Sequence, residues 1–453
     1  MTYSIRKKIT APALGALCLM GLYPQAYASA VGESVPAAPQ PDKKEALPEP
    51  AQVEHWDTEF KTYFRGGMAE GMSPNRQLKL PGAKSKYRLG NEFDQYGELL
   101  LRQDLAHLSD GSIVSMGTGA KVDYPYDTTH YDRKNDENPQ LAEAYLLWRN
   151  IPWLGGGTLT AGQRLYLKDS TIHINNFTYE DFSGIGVGVE DVKIGPVKAT
   201  WILSRKDDPD QEDYITRNNL LIEGFEVNPD GFLEFGFTQI SKDKDVPGSN
   251  SGWSSMLRHR QIFPDDAQNL FVIQYGEGPG TNLGLTGNPL LNRDNKSWRL
   301  LDSYEWQNGR FGGQVLGLWQ RDRFSEGNGQ DWWSIGGRAT YGITDYLKLA
   351  LEVGHDQVKP TDGDSRSMTK LTIAPILSPA GSGFWQRPEI RLFYTYGFWN
   401  EAAQQAAGRL NPGAALSDTG AFGTSRHGGT FGIQVEYWND YTPVKTALKN
   451  MGW

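Results

Sequence analysis

The segment Glu389–Phe398 reads Glu-Ile-Arg-Leu-Phe-Tyr-Thr-Tyr-Gly-Phe. It restricts the fold more than any other stretch of the chain. Successive side chains of a strand point to opposite faces. Ile390, Leu392, Tyr394, Tyr396 and Phe398 therefore share one face, and Glu389, Arg391, Thr395 and Gly397 the other, where Phe393 is the only apolar residue. One face is greasy and the other is wet and charged. A soluble sandwich makes this pattern with the greasy face inward. A membrane barrel makes it inverted, apolar toward lipid and polar toward a lumen.

The N-terminal region supplies the compartment. Arg6, Lys7 and Lys8 precede the predominantly apolar run Ile9–Leu22, and Ala28-Ser29-Ala30 offers a small-x-small cleavage site. Residues 1–30 thus read as a secretory signal peptide, too short to span a bilayer as a helix. Cys18 is the only cysteine and lies within it, so disulfides and thiol chemistry are not expected in the mature chain. No later window is apolar for long enough to form a transmembrane helix. An exported chain of this kind that is integral to a membrane has to be a closed barrel, because only helices and barrels satisfy their backbone in lipid.

Residues 31–57 carry Pro36, Pro39, Pro41, Pro48 and Pro50 among Ala, Glu and Lys, and read as an extended periplasmic segment without a core. From residue 58 to 438 the two-residue alternation recurs. Phe60 and Phe64 oppose Lys61, Tyr63 and Arg65, and Leu165 and Leu167 oppose Arg164, Tyr166 and Lys168. Leu233, Phe235 and Phe237 oppose Glu234, Gly236 and Thr238, and Ile335, Gly337 and Tyr341 oppose Ser334, Arg338 and Thr340. Leu347, Leu349, Leu351 and Val353 oppose Lys348, Glu352 and Asp356, and Phe431, Ile433, Val435 and Tyr437 oppose Gly432, Gln434, Glu436 and Trp438. Turn signals such as Asn228-Pro229-Asp230-Gly231 and Ser325–Gly329 separate them. With 21 Tyr, 18 Phe and 14 Trp, the chain nevertheless has a mean hydropathy of −0.54. A narrow lipid-facing band with aromatic girdles, diluted by a polar lumen and loops, explains both numbers. The fold class expected is all-β, a transmembrane antiparallel barrel. Residues 439–453 read as a C-terminal extension.

Gly82-Ala83-Lys84-Ser85-Lys86-Tyr87-Arg88-Leu89-Gly90-Asn91-Glu92, followed by Tyr96 and Glu98, resembles the N-terminal signature of the maltoporins, sugar-specific porins of Gram-negative outer membranes. The resemblance continues through Ala161–Tyr166, His173–Phe177, Ser183–Gly188, Trp332-Trp333, Trp385-Gln386-Arg387-Pro388 and Phe431–Trp438. It implies a barrel of about eighteen strands, assembled as a homotrimer in outer-membrane lipid and passing oligosaccharides, with ions, by facilitated diffusion. It also implies an aromatic slide made of Tyr63, Tyr96, Phe271, Trp385 and Trp438. The alternation independently puts Tyr63, Tyr96 and Trp438 on lumen faces. The polar track expected from the family is matched by Arg65, Arg88 and Glu98. Lys168 stands at an arginine position, Asn176 at an acidic one and Thr178 at the constricting tyrosine; Asp356 lies on the polar face of its strand. Thr for Tyr widens the narrowest point, and Lys lacks the planar fork of Arg. Both departures, with the Pro-rich extension, run toward the wider sucrose-type porins of the same family. Two further departures are Phe93 at one cysteine position of the family's N-terminal loop and a loop around Asp127–Asn138 without the Trp that reaches a neighbouring subunit.

Other classes fit less well. The seven histidines are scattered and none has metal-ligand spacing, so neither an enzyme nor a metal or other cofactor is expected. Gly184–Gly188 lacks the dinucleotide fingerprint and its strand does not lead into a helix. A plugged, energy-coupled transporter needs a folded domain ahead of the barrel. A formal net charge of −9 disfavours a nucleic-acid partner. A general, non-selective diffusion porin remains the alternative, and lumen aromatics are what distinguish the two.

Overall fold

The computed structural model describes residues 57–70, 76–92, 94–124, 139–166, 170–206, 215–265, 267–285, 287–325 and 327–443. The expected signal peptide, the Pro-rich segment up to His55, the Asp127–Asn138 loop, Phe93 and Lys168 lie outside these.

Eighteen strands form one sheet. Each pairs antiparallel with its neighbours in sequence, and the first, Thr58–Ala69, pairs with both the second, Gln95–His107, and the last, His427–Pro443. That last pairing closes the sheet and leaves no edge. The faces are inverted relative to a soluble protein. In the strand Glu389–Trp399, Arg391 is 2% exposed and Leu392 is 58% exposed. Ile335 (66%) and Phe431 (57%) face outward in the same way, while Arg338 and Glu436 are buried inside. Exposed apolar faces continuous over a barrel exterior are a surface made for lipid. Among the described residues no helix is long and apolar enough to cross a membrane.

The connections differ at the two ends. At one end most are tight, residues 378–388 excepted: Asp230, at φ +58°, turns the chain between Asn228 and Gly231, as the Asn-Pro-Asp-Gly motif predicts. At the other end they are long, and two of them fold back inside. The first includes residues 76–92, and the second, which includes residues 165–166 and 170–183, contains a short hairpin pairing Thr171–Ile172 with Phe177–Thr178. A third holds the helix Glu401–Leu410, capped by Asn400, whose side chain accepts from the Ala403 amide.

The inward loops build the core. Leu78, Leu80 and Tyr87 of the first loop and Ile172, Ile174 and Phe177 of the second pack with Trp332, Leu316 and Val358 of the wall and with Phe384 of the turn before Glu389. Tyr87 lies over Gly336 and Gly354, where a Cβ would come within 2.5 and 2.0 Å of its ring. Its hydroxyl is 3.1 Å from Ser334 Oγ. Wall side chains take the place of a ladder for the loop backbone. Leu89 N donates to Glu352 Oε1 (3.1 Å), Gly90 N to Gln434 Oε1 (3.0 Å) and Lys370 Nζ to the Leu89 carbonyl (2.6 Å). The loop is thereby an internal part of the barrel and narrows it.

Two boundaries differ from the sequence reading. The strand Gly157–Arg164 ends at Arg164 rather than running on through Lys168. There the Leu165 amide turns to Glu143 Oε1 (3.0 Å) and the Tyr166 amide to Ser183 Oγ (2.7 Å), and the chain leaves the wall for the lumen. The last strand continues to Pro443, past the expected boundary at Trp438, because Asn439 still pairs with Thr62 across a bulge and bonds its amide at 3.1 Å.

Candidate functional site

Four of the five expected slide aromatics form one contiguous row. Tyr96 meets Tyr63 at 5.7 Å between ring centroids. Tyr63 stacks on Trp438 at 6.4 Å and 16°. Trp438 meets Trp385 at 6.4 Å, and Trp385 meets Phe384 at 4.9 Å. Strand pairing accounts for the continuity, because Tyr63 is registered against Trp438 on one side and Glu98 on the other. Trp385 comes from the turn before Glu389 and is 40% exposed to the interior.

Phe271 does not join them. In the strand Ala267–Glu277 it is paired with His259 and Asp302 and shares the outward face with Ile273 and Tyr275. It is 38% exposed, whereas its neighbour Val272 is fully buried. The inward position beside it is Leu270, which packs against the core. The slide assignment of Phe271 is therefore corrected. Two-residue parity, which that strand shows poorly in sequence, decides it.

Cations back the row. The Arg387 guanidinium lies 4.0 Å above the Trp438 ring, and that of Arg65 lies 4.8 Å from the Tyr96 ring and 5.9 Å from that of Tyr63. Arg65 is tied to Asp94, its Nε reaching Oδ2 at 3.1 Å. Arg88 is buried and holds Glu92 (2.8 Å), Glu436 (2.6 Å) and the Tyr63 hydroxyl (2.6 Å). Tyr63 in turn donates to Glu436 at 3.0 Å. Glu98 accepts from the Tyr96 hydroxyl. The expected track residues Arg65, Arg88 and Glu98 thus stand beside the row, each engaged with a neighbour.

The second inward loop meets the row through His173. Asn176 is exposed at φ +51° and ends a short 3-10 turn, and Thr178 Oγ1 is 2.9 Å from Thr171 Oγ1. Asp356 is corrected too. Its side chain points inward, as the alternation required, but it is 1% exposed beneath the first loop and accepts from Trp332 Nε1 at 3.0 Å. A solute in the lumen does not reach it.

His173 sits at the centre of this arrangement. Its ring is 5.0 Å from Trp385 and 5.3 Å from Trp438. Arg387 (3.1 Å) and Arg338 (3.3 Å) approach Nε2, and Arg88 (3.4 Å) approaches Nδ1. Guanidiniums only donate, and a neutral imidazole accepts at one of its two nitrogens, so the ring satisfies the arginines on one side and not on both. Burial, and then the charge of Arg88, hold the imidazole well below its ordinary titration range, so it is neutral. Behind it Glu352 joins Arg338 and Lys370, and Glu389 joins Arg387, Arg391 and Lys348. The sequence showed His173 and Arg387 only as parts of family motifs. Their convergence depends on contacts between residues far apart in the chain, which no local pattern carries. Among the described residues no group of three or more His, Cys, Asp or Glu could hold a metal ion.

The barrel has distant likenesses among solved structures. Solved structures that resemble it include OmpT of Vibrio cholerae, with 12% identity over 86% of this chain and 100% of that one (TM-score 0.39). Acinetobacter baumannii OccAB1 has 9% identity over 87% and 99% (TM-score 0.47). An anion-selective porin from Comamonas acidovorans has 11% identity over 84% and 98% (TM-score 0.44). The LamB porin family matches residues 58–439, the full span from the first barrel strand into the last. The chain belongs to the LamB porin family, as a non-catalytic β-barrel channel of the Gram-negative outer membrane.

Proposed function

We propose that the barrel carries oligosaccharides of the maltose, maltodextrin or sucrose type by facilitated diffusion, without catalysis or energy input. The observation that carries this reading is the unbroken row Tyr96–Tyr63–Trp438–Trp385 inside a charged lumen. A sugar ring has apolar faces and hydroxyl edges. Flat aromatic walls take the faces and let them slide, while polar groups alongside exchange hydrogen bonds with the edges. Flux demands that each contact be weak and repeated. Thr178 in place of a bulkier residue fits passage of di- and trisaccharides, the sucrose-type direction.

A homotrimer is part of the proposal. Many outward positions between Gln95 and Ile194 are aliphatic or small, among them Leu99, Met116, Ala120, Leu146, Ala161 and Val187, with Trp148 and Trp153 as aromatics near one end. Aromatics such as Phe225, Phe235, Phe263, Tyr304, Trp333 and Tyr394 crowd the outward face of the later strands instead. Where the aromatic girdle thins, a protein neighbour rather than lipid fits the surface.

A general diffusion porin is the second reading. It is favoured by the engagement of Arg65 and Arg88 in ion pairs and by Leu270 at the fifth slide position. Liposome swelling separates the two. A selective channel admits maltose or sucrose faster than a smaller non-sugar solute of equal charge, and Trp438→Ala removes that preference. Rates that fall with solute size alone, in both proteins, leave only the general porin.

A further inference from the structure

Beyond Trp385 the interior opens into a cavity of about 260 Å³. Thr171 and Ile172 of the second inward loop, Trp385, and the wall residues Arg260, Gln268, Leu270, Ser303, Glu305 and Gln314 line it. Gln268, Glu305 and Gln314 lie close to the short turns at residues 264–265 and 309–310, so the cavity occupies the half of the lumen away from the long loops. It is below the roughly 300 Å³ at which drug-sized pockets begin, which suits one small ring.

Its walls are chemically divided. Trp385, Leu270 and Ile172 are apolar. Opposite them runs a connected polar set: Arg260 Nη1 donates to Gln268 Oε1 (3.2 Å), Gln268 donates to Glu305, and Gln314 Nε2 donates to Glu305 Oε2 (3.2 Å). The set contains a donor-only guanidinium, an acceptor-only carboxylate and two amides that do both. Arg260 and Glu305 offset each other in charge. Glu234 lies 3.9 Å from Arg260 and is also paired with Arg258.

We infer that this cavity is a distinct binding site for a single neutral polyhydroxylated ring, where stacking along the row gives way to hydrogen bonding before exit. The inference rests on the sugar-channel reading above. Hydroxyls both donate and accept, so they satisfy a mixed set of this kind. An anionic solute gains Arg260 but meets Glu305, and a cationic one gains Glu305 but meets Arg260, so a charge of either sign brings no net advantage over a neutral ring. Leu270 makes the handover possible, because an aromatic side chain there would extend the slide across the cavity.

Side-resolved single-channel block tests it. Glucose, maltose, glucuronate and glucosamine are added in turn to either side of the intact channel in a planar bilayer. Glu305→Gln keeps the shape and removes the carboxylate; Gln268→Leu removes the amide. Each is expected to slow block by glucose and maltose from the short-turn side about tenfold, the usual consequence of losing a hydrogen bond to a charged group. Block from the long-loop side stays within roughly twofold of wild type, and Leu270→Phe lengthens each short-turn-side event. Equal effects on both sides, or none in any variant, overturn the cavity site while leaving the sugar channel intact. Stronger block by glucuronate or glucosamine than by glucose overturns its assignment to neutral rings. A wild-type channel indifferent to every sugar overturns the channel reading itself.

Discussion

The Arg387 guanidinium lies 4.0 Å over the indole of Trp438 and also holds Glu389 at 2.9 Å and Glu436 at 3.2 Å. One side chain thereby fixes an aromatic of the row and neutralises two buried carboxylates. Arg387→Met leaves those carboxylates short of a partner and is expected to lower barrel stability by about 3 kcal/mol, as removal of one member of a buried ion network does. Arg387→Lys keeps the charge but loses the planar fork and the stack, so it should cost less stability and still weaken sugar block. Urea titration of the folded barrel, followed by its shifted gel mobility, measures the first effect, and block measures the second. A lysine variant equal to wild type in both contradicts the double role.

Tyr87 depends on the bare backbone of Gly336 and Gly354 to lie against the wall. A β-branched residue has no room there, so Gly354→Val is expected to push the first inward loop off the wall and raise single-channel conductance. Tyr87→Ala in the same chain relieves the clash and should bring assembly yield back toward wild type. Unchanged conductance in Gly354→Val contradicts a loop held by that contact.

His173 is held neutral in the folded barrel. Below its ordinary pKa of about 6.5 an unfolded chain takes up a proton that the folded one refuses. Stability from this source is therefore complete above pH 6.5 and is lost as pH falls below it, at no more than about 1.4 kcal/mol per pH unit. The difference in unfolding free energy between wild type and His173→Gln, followed from pH 7.5 to 5, isolates the effect from the carboxylates. It should be flat above 6.5 and slope below. A flat difference throughout indicates a histidine that titrates freely.

Thr178 lies on the short hairpin of the second inward loop, bonded to Thr171. Thr178→Tyr restores the bulk that the family resemblance expects there. It is expected to lower ion conductance severalfold and to exclude a trisaccharide such as raffinose before a disaccharide. Liposome swelling with sugars of increasing length checks this, and an unchanged size limit contradicts a constriction at this residue.

Most of the barrel is legible in the sequence because a strand announces its two faces locally. The split of Glu389–Phe398 into greasy and wet sides holds residue by residue, with Arg391 inward and Leu392 outward. The site is legible where an aromatic interrupts a polar face, as Tyr63, Tyr96 and Trp438 do. Phe271 and Asp356 show the two ways this fails. Phe271 sits in a strand whose hydrophobicity does not alternate, so a motif match one residue out of phase lands on the wrong face. Asp356 has the right face, but a loop distant in sequence covers it, and parity along a strand contains no information about what folds over it. The charge cluster around His173 is hidden for the same reason, since its members meet only when the barrel closes.

The most direct measurement is single-channel current across a planar bilayer, titrated with sucrose, maltose, raffinose and glucose. Saturable block by at least one disaccharide, weakened at least severalfold in Trp385→Ala and in Trp438→Ala, is the expected result for a sugar path along the aromatic row. A steady current that ignores every sugar contradicts it and leaves a general diffusion porin.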